Sequence, residues 1–96
     1  MIDERDVEGY LVRGIQKLGG LCIKLDSAGK KGIQDRLVLL PGGRVWFVEL
    51  KKPGGKVGVL QQVRKRQIER MGFRSAIVWT KAGVDELVQD LALGQS

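Results

Sequence analysis

The stretch DRLVLLPGGRVWFVELK, residues 35–51, decides the fold of this 96-residue chain. Two apolar runs, residues 36–40 and 44–51, flank Pro41-Gly42-Gly43. Glycine readily takes the positive φ that a tight hairpin turn requires. The stretch therefore predicts two antiparallel strands. Because strand side chains alternate between faces, Glu49 and Lys51 should point the same way from the second strand.

The spacing of apolar residues on either side of this hairpin predicts the remaining elements. Apolar residues at three- and four-residue intervals indicate helices, and short apolar runs bounded by glycine indicate strands. The predicted helices span residues 3–18, 59–71 and 84–93, and the additional strands span residues 21–26 and 74–80. The order αβββαβα predicts one α/β domain over residues 1–96.

The composition excludes several kinds of site. Cys22 is the only cysteine and histidine is absent, which excludes disulfide scaffolds, zinc sites built from Cys and His, and catalysis by Ser-His-Asp or Cys-His. Any metal would need oxygen ligands. We expect Cys22, in an apolar Leu-Cys-Ile run, to pack in the core. The apolar runs are far shorter than the roughly 20 residues of a membrane span, and no secretory signal is readable, so we expect a cytoplasmic protein with no membrane partner.

The charge favours a polyanionic partner. Seventeen Lys and Arg against eleven Asp and Glu give a net charge of +6 and a pI near 9.8. A basic protein raises the local concentration and the association rate of nucleic acid. Trp46 and Trp79 lie in apolar strands, and we expect them to pack in the core rather than stack on bases.

Asp35 is predicted to join Glu49 and Lys51. It begins the first strand of the hairpin, and counting outward from the turn places it opposite roughly residue 50. Ionised groups at the end of a half-buried strand are costly unless they are paired or bind a metal. Two simpler interpretations stay open: a salt bridge between Glu49 and Lys51 at the strand end, and a turn role for Asp35.

The first helix contributes a further acid. Glu8 lies on the edge of the stripe that Leu11 and Ile15 form at helical spacing, so its side chain can reach inward. Glu4 lies on the same stripe and is the alternative acid. Either glutamate could instead serve only as an acid near the helix N-terminus, where the helix dipole favours it.

In sequence order, these residues resemble the virus-type replication-repair nuclease (VRR-NUC) domain of the PD-(D/E)xK superfamily, whose small standalone members occur in phages and bacteria. The resemblance covers nearly the whole chain. Its elements are residues 4–8, Gly20, residues 32–36, residues 47–51, Leu60-Gln61 and Gly72-Phe73. One position departs from the family pattern: Gln34 stands where proline is usual, and a proline there would stiffen the loop by fixing φ.

The resemblance implies a restriction-endonuclease-like core, with a mixed central sheet flanked by helices, that cleaves DNA with Mg²⁺ or Mn²⁺. Such hard ions suit oxygen ligands. The implied metal ligands are Asp35, Glu49, the backbone carbonyl of Leu50 and Glu8, the last holding a second ion or its water. The metal would polarise a phosphoryl oxygen and lower the pKa of bound water, while Lys51 orients the nucleophile and stabilises negative charge. Gln61 would position Lys51 or the water; alternatively it is only a polar helix residue.

Basic residues beside this site are expected to contact DNA phosphates. They are Lys30, Lys31, Lys52, Lys56 and Arg64. The resemblance further implies a homodimer that acts on branched DNA, with Holliday-type four-way junctions as the leading substrate, since two symmetric nicks need two sites related by a two-fold axis. Two alternatives belong to other functional classes: an inactive basic DNA-binding module of the same fold, and a basic protein that only binds another protein. The complete set of Asp35, Glu49 and Lys51 argues against the first.

Overall fold

The computed structural model describes residues 4–25 and 35–94, with side chains from residue 6 onward. The helices are α1 (Glu4–Lys17), α2 (Val59–Arg70) and α3 (Lys81–Ala92), and the strands are β1 (Leu21–Lys24), β2 (Arg36–Leu40), β3 (Arg44–Leu50) and β4 (Arg74–Val78). The chain order is the predicted αβββαβα. No helix in these two ranges is long and apolar enough to cross a membrane.

The four strands form one sheet in the order β1-β2-β3-β4. The pairs β1/β2 and β2/β3 are antiparallel, whereas β3/β4 is parallel because α2 carries the chain back between them. A parallel pair requires such a crossover, and antiparallel neighbours need only a turn. The mixed sheet flanked by helices confirms the predicted fold class.

The central hairpin sets the register on which the site depends. Leu40 faces Arg44 across a three-residue turn, in which Gly42 and Gly43 have φ of 84° and 76°. Arg36 consequently pairs with Val48. This register brings Asp35 beside Glu49, one residue nearer the turn than the predicted position, because the pairing begins at Leu40 and not at Pro41.

The two faces of the sheet are covered by different helices. On one face, Val48 and Leu50 of β3 pack into the main core with residues of α1 and α3; the helix residues are Val7, Leu11, Ile15, Val84, Leu87 and Leu91. Cys22 and Trp46 pack against this core, as predicted. Trp79, for which the same was predicted, is half-buried outside this cluster, because it follows Val78 and so alternates to the other face of the sheet. α2 covers the other face, where Ile68 is buried and Phe47 meets Phe73 edge to face at 5.7 Å between ring centroids.

The last strand and helix have different ends from those predicted. β4 ends at Val78 and α3 begins at Lys81, three residues earlier than the apolar spacing indicated. Thr80 is the reason, since its side-chain oxygen accepts the backbone N–H of Gly83 at 3.1 Å and caps the helix. A threonine in this position satisfies one of the N–H groups that the first turn of a helix leaves unpaired.

Candidate active site

Asp35 is fixed at the point where β2 begins. Its Oδ1 accepts the backbone N–H of Leu50 across 3.2 Å, and its backbone carbonyl accepts the N–H of Leu25 across 2.9 Å. The carboxylate therefore joins the start of β2 to the end of β3, next to Glu49. This bond places an acidic oxygen at the backbone of a predicted metal ligand, Leu50.

Glu49 lies on the α2 face of the sheet, since Val48 and Leu50 on either side of it point into the main core. Only 7% of the residue is exposed, which is unusual for a carboxylate. The side-chain amide of Gln61 donates to its Oε1 across 3.2 Å. A buried carboxylate needs such a donor or a cation. The hydrogen bond from Gln61 therefore both satisfies Glu49 and orients its side chain.

Gln61 serves both the site and its own helix. While its amide nitrogen donates to Glu49, its Oε1 accepts the backbone N–H of Gly58, the N-cap of α2, at 3.0 Å. The resemblance implied that this glutamine positions Lys51 or a water. The observed contact is with Glu49, and it couples the start of α2 to that carboxylate; the role toward Lys51 or a water stays a prediction.

An open depression of about 380 Å³ lies over these residues. Its wall consists of Asp35, Glu49, Leu50, Lys51, Lys52, Gly55 and Lys56. Lys51 enters the wall directly after β3, where its backbone N–H donates to the carbonyl of Val78 at 3.0 Å. The two carboxylates can bind a cation, and the three lysines beside them can bind a phosphodiester. The depression therefore suits a cation and a phosphodiester bound together.

A larger depression, of about 610 Å³, lies at the opposite end of the sheet. Its lining contains one acid, Glu69, which accepts hydrogen bonds from Lys65 and Ser75. Those contacts, with the Lys65 hydrogen bond the largest cause, lower the pKa of Glu69. This carboxylate therefore already has two hydrogen-bond donors, whereas the 380 Å³ depression brings Asp35 and Glu49 together. Lys65 also donates to the Ser75 carbonyl and hydroxyl.

Glu8 approaches the sheet from the α1 face, where it forms an ion pair with Arg36. The Arg36 side chain is 9% exposed and that of Glu8 is 32% exposed. Burial lowers the pKa of Arg36, which remains a cation at neutral pH because the free guanidinium has so high a pKa. Glu8 thus holds a buried cation, and its role at a second metal ion stays a prediction. The side chain of Glu4 lies outside the described residues.

Sequence reasoning missed the contacts of two further side chains. Arg36 alternates with Val38 and Leu40, so the strand pattern points it toward the core and calls for a carboxylate partner. Trp79 is half-buried and donates its indole N–H to the carbonyl of Gly55 across 3.2 Å. No local pattern signals that contact, because 24 residues separate its partners.

The predicted phosphate contacts fall into three groups. Lys52 and Lys56 line the depression. Arg64 lies one turn along α2 from Gln61, and its Nη1 donates to Gln67 at 2.9 Å. Lys30 and Lys31, together with Gln34, lie outside the described residues.

The donor set fits a hard divalent ion. Within the part of the chain that the structure describes, no three Asp, Glu, His or Cys side chains form a cluster that could hold a metal. Asp35 and Glu49 instead line one depression together with Leu50. The backbone carbonyl of Leu50 is the third predicted metal ligand. Mg²⁺ commonly binds in this way, through one or two carboxylates, retained waters and the phosphates of the substrate. These oxygen donors match Mg²⁺ or Mn²⁺, whereas a thiophilic metal prefers sulfur ligands.

Comparison with known proteins agrees with this geometry. No protein-family model matches the chain. A protein of Acyrthosiphon pisum secondary endosymbiont phage 1 named "Putative nuclease p44" is 46% identical over 56 residues, which make up 58% of this chain and 60% of the phage protein. A solved structure described as a VRR_NUC domain has a TM-score of 0.82 and 33% sequence identity, over 90% of this chain and 94% of that one. Since that match spans nearly all of both chains, this chain belongs to the VRR-NUC family of nuclease domains.

Proposed function

We propose that this protein is a metal-dependent DNA endonuclease whose active site is the depression between β2, β3 and the loop that follows β3. One observation carries the proposal: Asp35, Glu49 and Lys51 line the same depression, and Gln61 is hydrogen-bonded to Glu49. The solved VRR_NUC structure and the phage protein's name support nuclease chemistry. The net charge of +6 supports DNA as the substrate.

Asp35, Glu49 and the Leu50 carbonyl are the proposed ligands of Mg²⁺ or Mn²⁺. The ion, when bound, supplies Lewis-acid polarisation of the phosphate and a lower pKa for coordinated water. Gln61 keeps Glu49 in its binding orientation. Lys51 orients the attacking water and places positive charge beside the phosphate where negative charge develops. Lys52 and Lys56 hold the neighbouring phosphates of the strand.

A cleavage assay on fluorescent DNA tests the proposal. Wild-type protein should cut with Mg²⁺ or Mn²⁺ and stop cutting in EDTA. Glu49→Gln keeps the shape of a buried side chain but removes its charge, and Lys51→Ala removes the cation, so each should lower cleavage by at least about a thousandfold while DNA binding persists. Lys17→Ala, an exposed change at the end of α1, is the matched control.

The main alternative is a basic DNA-binding module without activity. Metal-independent binding with no cleavage on any DNA tested would favour that module over the nuclease. Cleavage by Glu49→Gln or Lys51→Ala within tenfold of wild type would disprove the roles given to those residues.

We further propose that the protein acts as a homodimer on branched DNA, with four-way junctions as the preferred substrate. One active site makes one nick, and a two-fold symmetric junction matches two sites related by a C₂ axis. This part of the proposal rests on the family resemblance. Light scattering and a panel of duplex, flap, bubble and four-way junction substrates test it. A monomer that cuts linear duplex as fast as junctions would contradict both the dimer and the substrate preference.

A further inference from the structure

We infer that Trp79 is a positioning residue that anchors a phosphate-binding turn, residues 52–56, over the active site. The inference rests on the proposed function, because it assigns the DNA phosphates that flank the scissile bond as the ligand of this turn. Trp79 follows β4 directly, and its indole N–H donates to the Gly55 carbonyl across 3.2 Å. Gly55 belongs to the wall of the depression that contains Asp35 and Glu49.

The turn itself has a defined geometry. The backbone N–H of Gly55 donates to the Lys52 carbonyl at 2.8 Å, and Gly54 has a φ of 80°. Proline in the second position and a positive φ in the third are the features of a type II turn, in which glycine is favoured at the third position. A Cβ on Gly55 would lie 2.9 Å from the Lys52 carbonyl oxygen, so no other residue fits without a shift.

Contacts at both ends hold the rest of this loop. The backbone N–H of Lys51 donates to the Val78 carbonyl before the turn, and that of Gly58 donates to Gln61 after it. Between these ends, the hydrogen bond from Trp79 ties the turn to the end of β4. The Val57 carbonyl is held separately, since it accepts the side-chain amide of Gln62 at 3.2 Å. Without the Trp79 bond, residues 52–56 would be ordered by their internal turn, and an exposed glycine-containing segment loses much conformational entropy when it is ordered.

The turn carries two of the cations that face the site. Lys52 precedes Pro53 and Lys56 follows Gly55, and both line the depression beside the two carboxylates. An anchored turn keeps these ammonium groups where a DNA strand must pass to reach Glu49. Long lysine side chains on a fixed backbone lose less entropy on binding phosphate than the same side chains on an unfixed one. Trp79 thus acts on DNA through Lys52 and Lys56 and touches no reacting atom.

The two tryptophans of the chain provide a matched test. Trp79→Phe keeps the ring and removes the N–H that binds Gly55. Trp46→Phe makes the same change where the buried indole N–H has no acceptor among the described residues. We expect Trp79→Phe to raise KM for DNA about fivefold with kcat within twofold of wild type, as loss of one hydrogen bond predicts. The slope of log K against log salt for DNA binding should flatten by about one, the value of one phosphate contact. Trp46→Phe should change neither quantity.

A second measurement separates this inference from the proposed nuclease. DNA binding measured in Ca²⁺ needs no cleavage, and Lys52→Gln with Lys56→Gln removes the cations through which Trp79 acts. In that double variant, Trp79→Phe should have no further effect on the salt slope, since the two changes share one interaction. If the wild type binds but never cleaves and Trp79→Phe still flattens the slope, the nuclease proposal fails and the anchored turn stands. If Trp79→Phe matches Trp46→Phe in KM and salt slope, or adds its full effect in the lysine variant, the inference is overturned.

Discussion

The side-chain amide of Gln61 spans the gap between α2 and β3: its nitrogen donates to Oε1 of Glu49 at 3.2 Å, and its oxygen accepts the N–H of Gly58 at 3.0 Å. A rotation of the amide would break both bonds at once, so the helix start and the carboxylate hold each other in place. Because α2 covers one face of the sheet and Glu49 is buried under it, the helix determines the direction of the carboxylate. A helix that also carries Arg64 therefore links the proposed metal site to the proposed DNA-binding surface.

Gln61→Ala should lower cleavage by about tenfold to a hundredfold, the usual effect of removing a residue that orients a metal ligand. The metal concentration needed for half-maximal activity should rise as well, because Glu49 loses its donor. Gln62→Ala, which removes a neighbouring exposed amide bonded only to the Val57 carbonyl among the contacts described, is the control and should cleave within twofold of wild type. Equal kinetics for the two variants would show that the Gln61 contact has no part in activity.

Glu8→Ala should destabilise the protein in EDTA, where no metal contributes. The buried Arg36 guanidinium would lose its carboxylate, and we expect a loss of about 2 kcal/mol in the free energy of unfolding, below the value for a fully buried pair because Glu8 is partly exposed. Urea denaturation measures it. Glu86→Ala, an exposed change on α3, should cost much less.

Adding Arg36→Met to Glu8→Ala should recover most of that stability, since the unpaired cation is then absent. A Glu8→Ala variant as stable as Glu86→Ala would contradict the structural role of the ion pair. A loss of activity that persists after stability is restored would support the predicted role of Glu8 at a second metal ion.

Replacing Lys30 and Lys31 with glutamine should flatten the salt dependence of DNA binding by about two, because each neutralised phosphate contributes about −0.9 to the slope of log K against log salt. Fluorescence anisotropy over a range of salt concentrations measures it. The control replaces Arg13 and Lys17 of α1 with glutamine, which removes the same charge from the groove between α1 and α3. Equal flattening by the two double variants would indicate an effect of net charge and not of the predicted loop.

Cys22 should be unreactive in the folded protein. Burial, followed by the charge of Asp35, raises the pKa of its thiol from 9.0 to about 11. At pH 8 the thiolate fraction, and hence the rate of alkylation by iodoacetamide, should be about a hundredfold lower than in the urea-unfolded chain. Rapid alkylation of the native protein at the unfolded rate would contradict the burial of this side chain.

The same shift predicts a pH dependence of stability. The folded state binds the thiol proton more tightly than the unfolded state, so this contribution is fully present below pH 9 and is lost as pH rises from about 9 to about 11. Tyr10, whose hydrogen bond to Asp85 raises its pKa, acts in the same direction. The difference between wild type and Cys22→Ser across this range isolates the thiol. Two parallel stability curves would refute the assignment.

The sequence by itself determined the fold class, because apolar spacing records which side of each helix and strand is buried. It also determined the hairpin, since two glycines at the turn of residues 35–51 leave few other conformations. The approach of Asp35 to Glu49 followed from counting along two paired strands, with an error of one residue. The family was recognisable because its motif residues form short runs whose order along the chain can be read directly.

Only the tertiary structure decided the contacts that join distant segments. Glu8 meets Arg36, Gln61 meets Glu49 and Trp79 meets Gly55 because α1 packs on one face of the sheet, α2 on the other, and β4 beside β3. Each contact depends on the rotation of a helix against the sheet or on the path of a loop, and these are set by the summed packing of many side chains. The spacing of apolar residues along the sequence indicates the buried face of a helix. It does not indicate which polar residue at the edge of that face will contact a residue of the sheet.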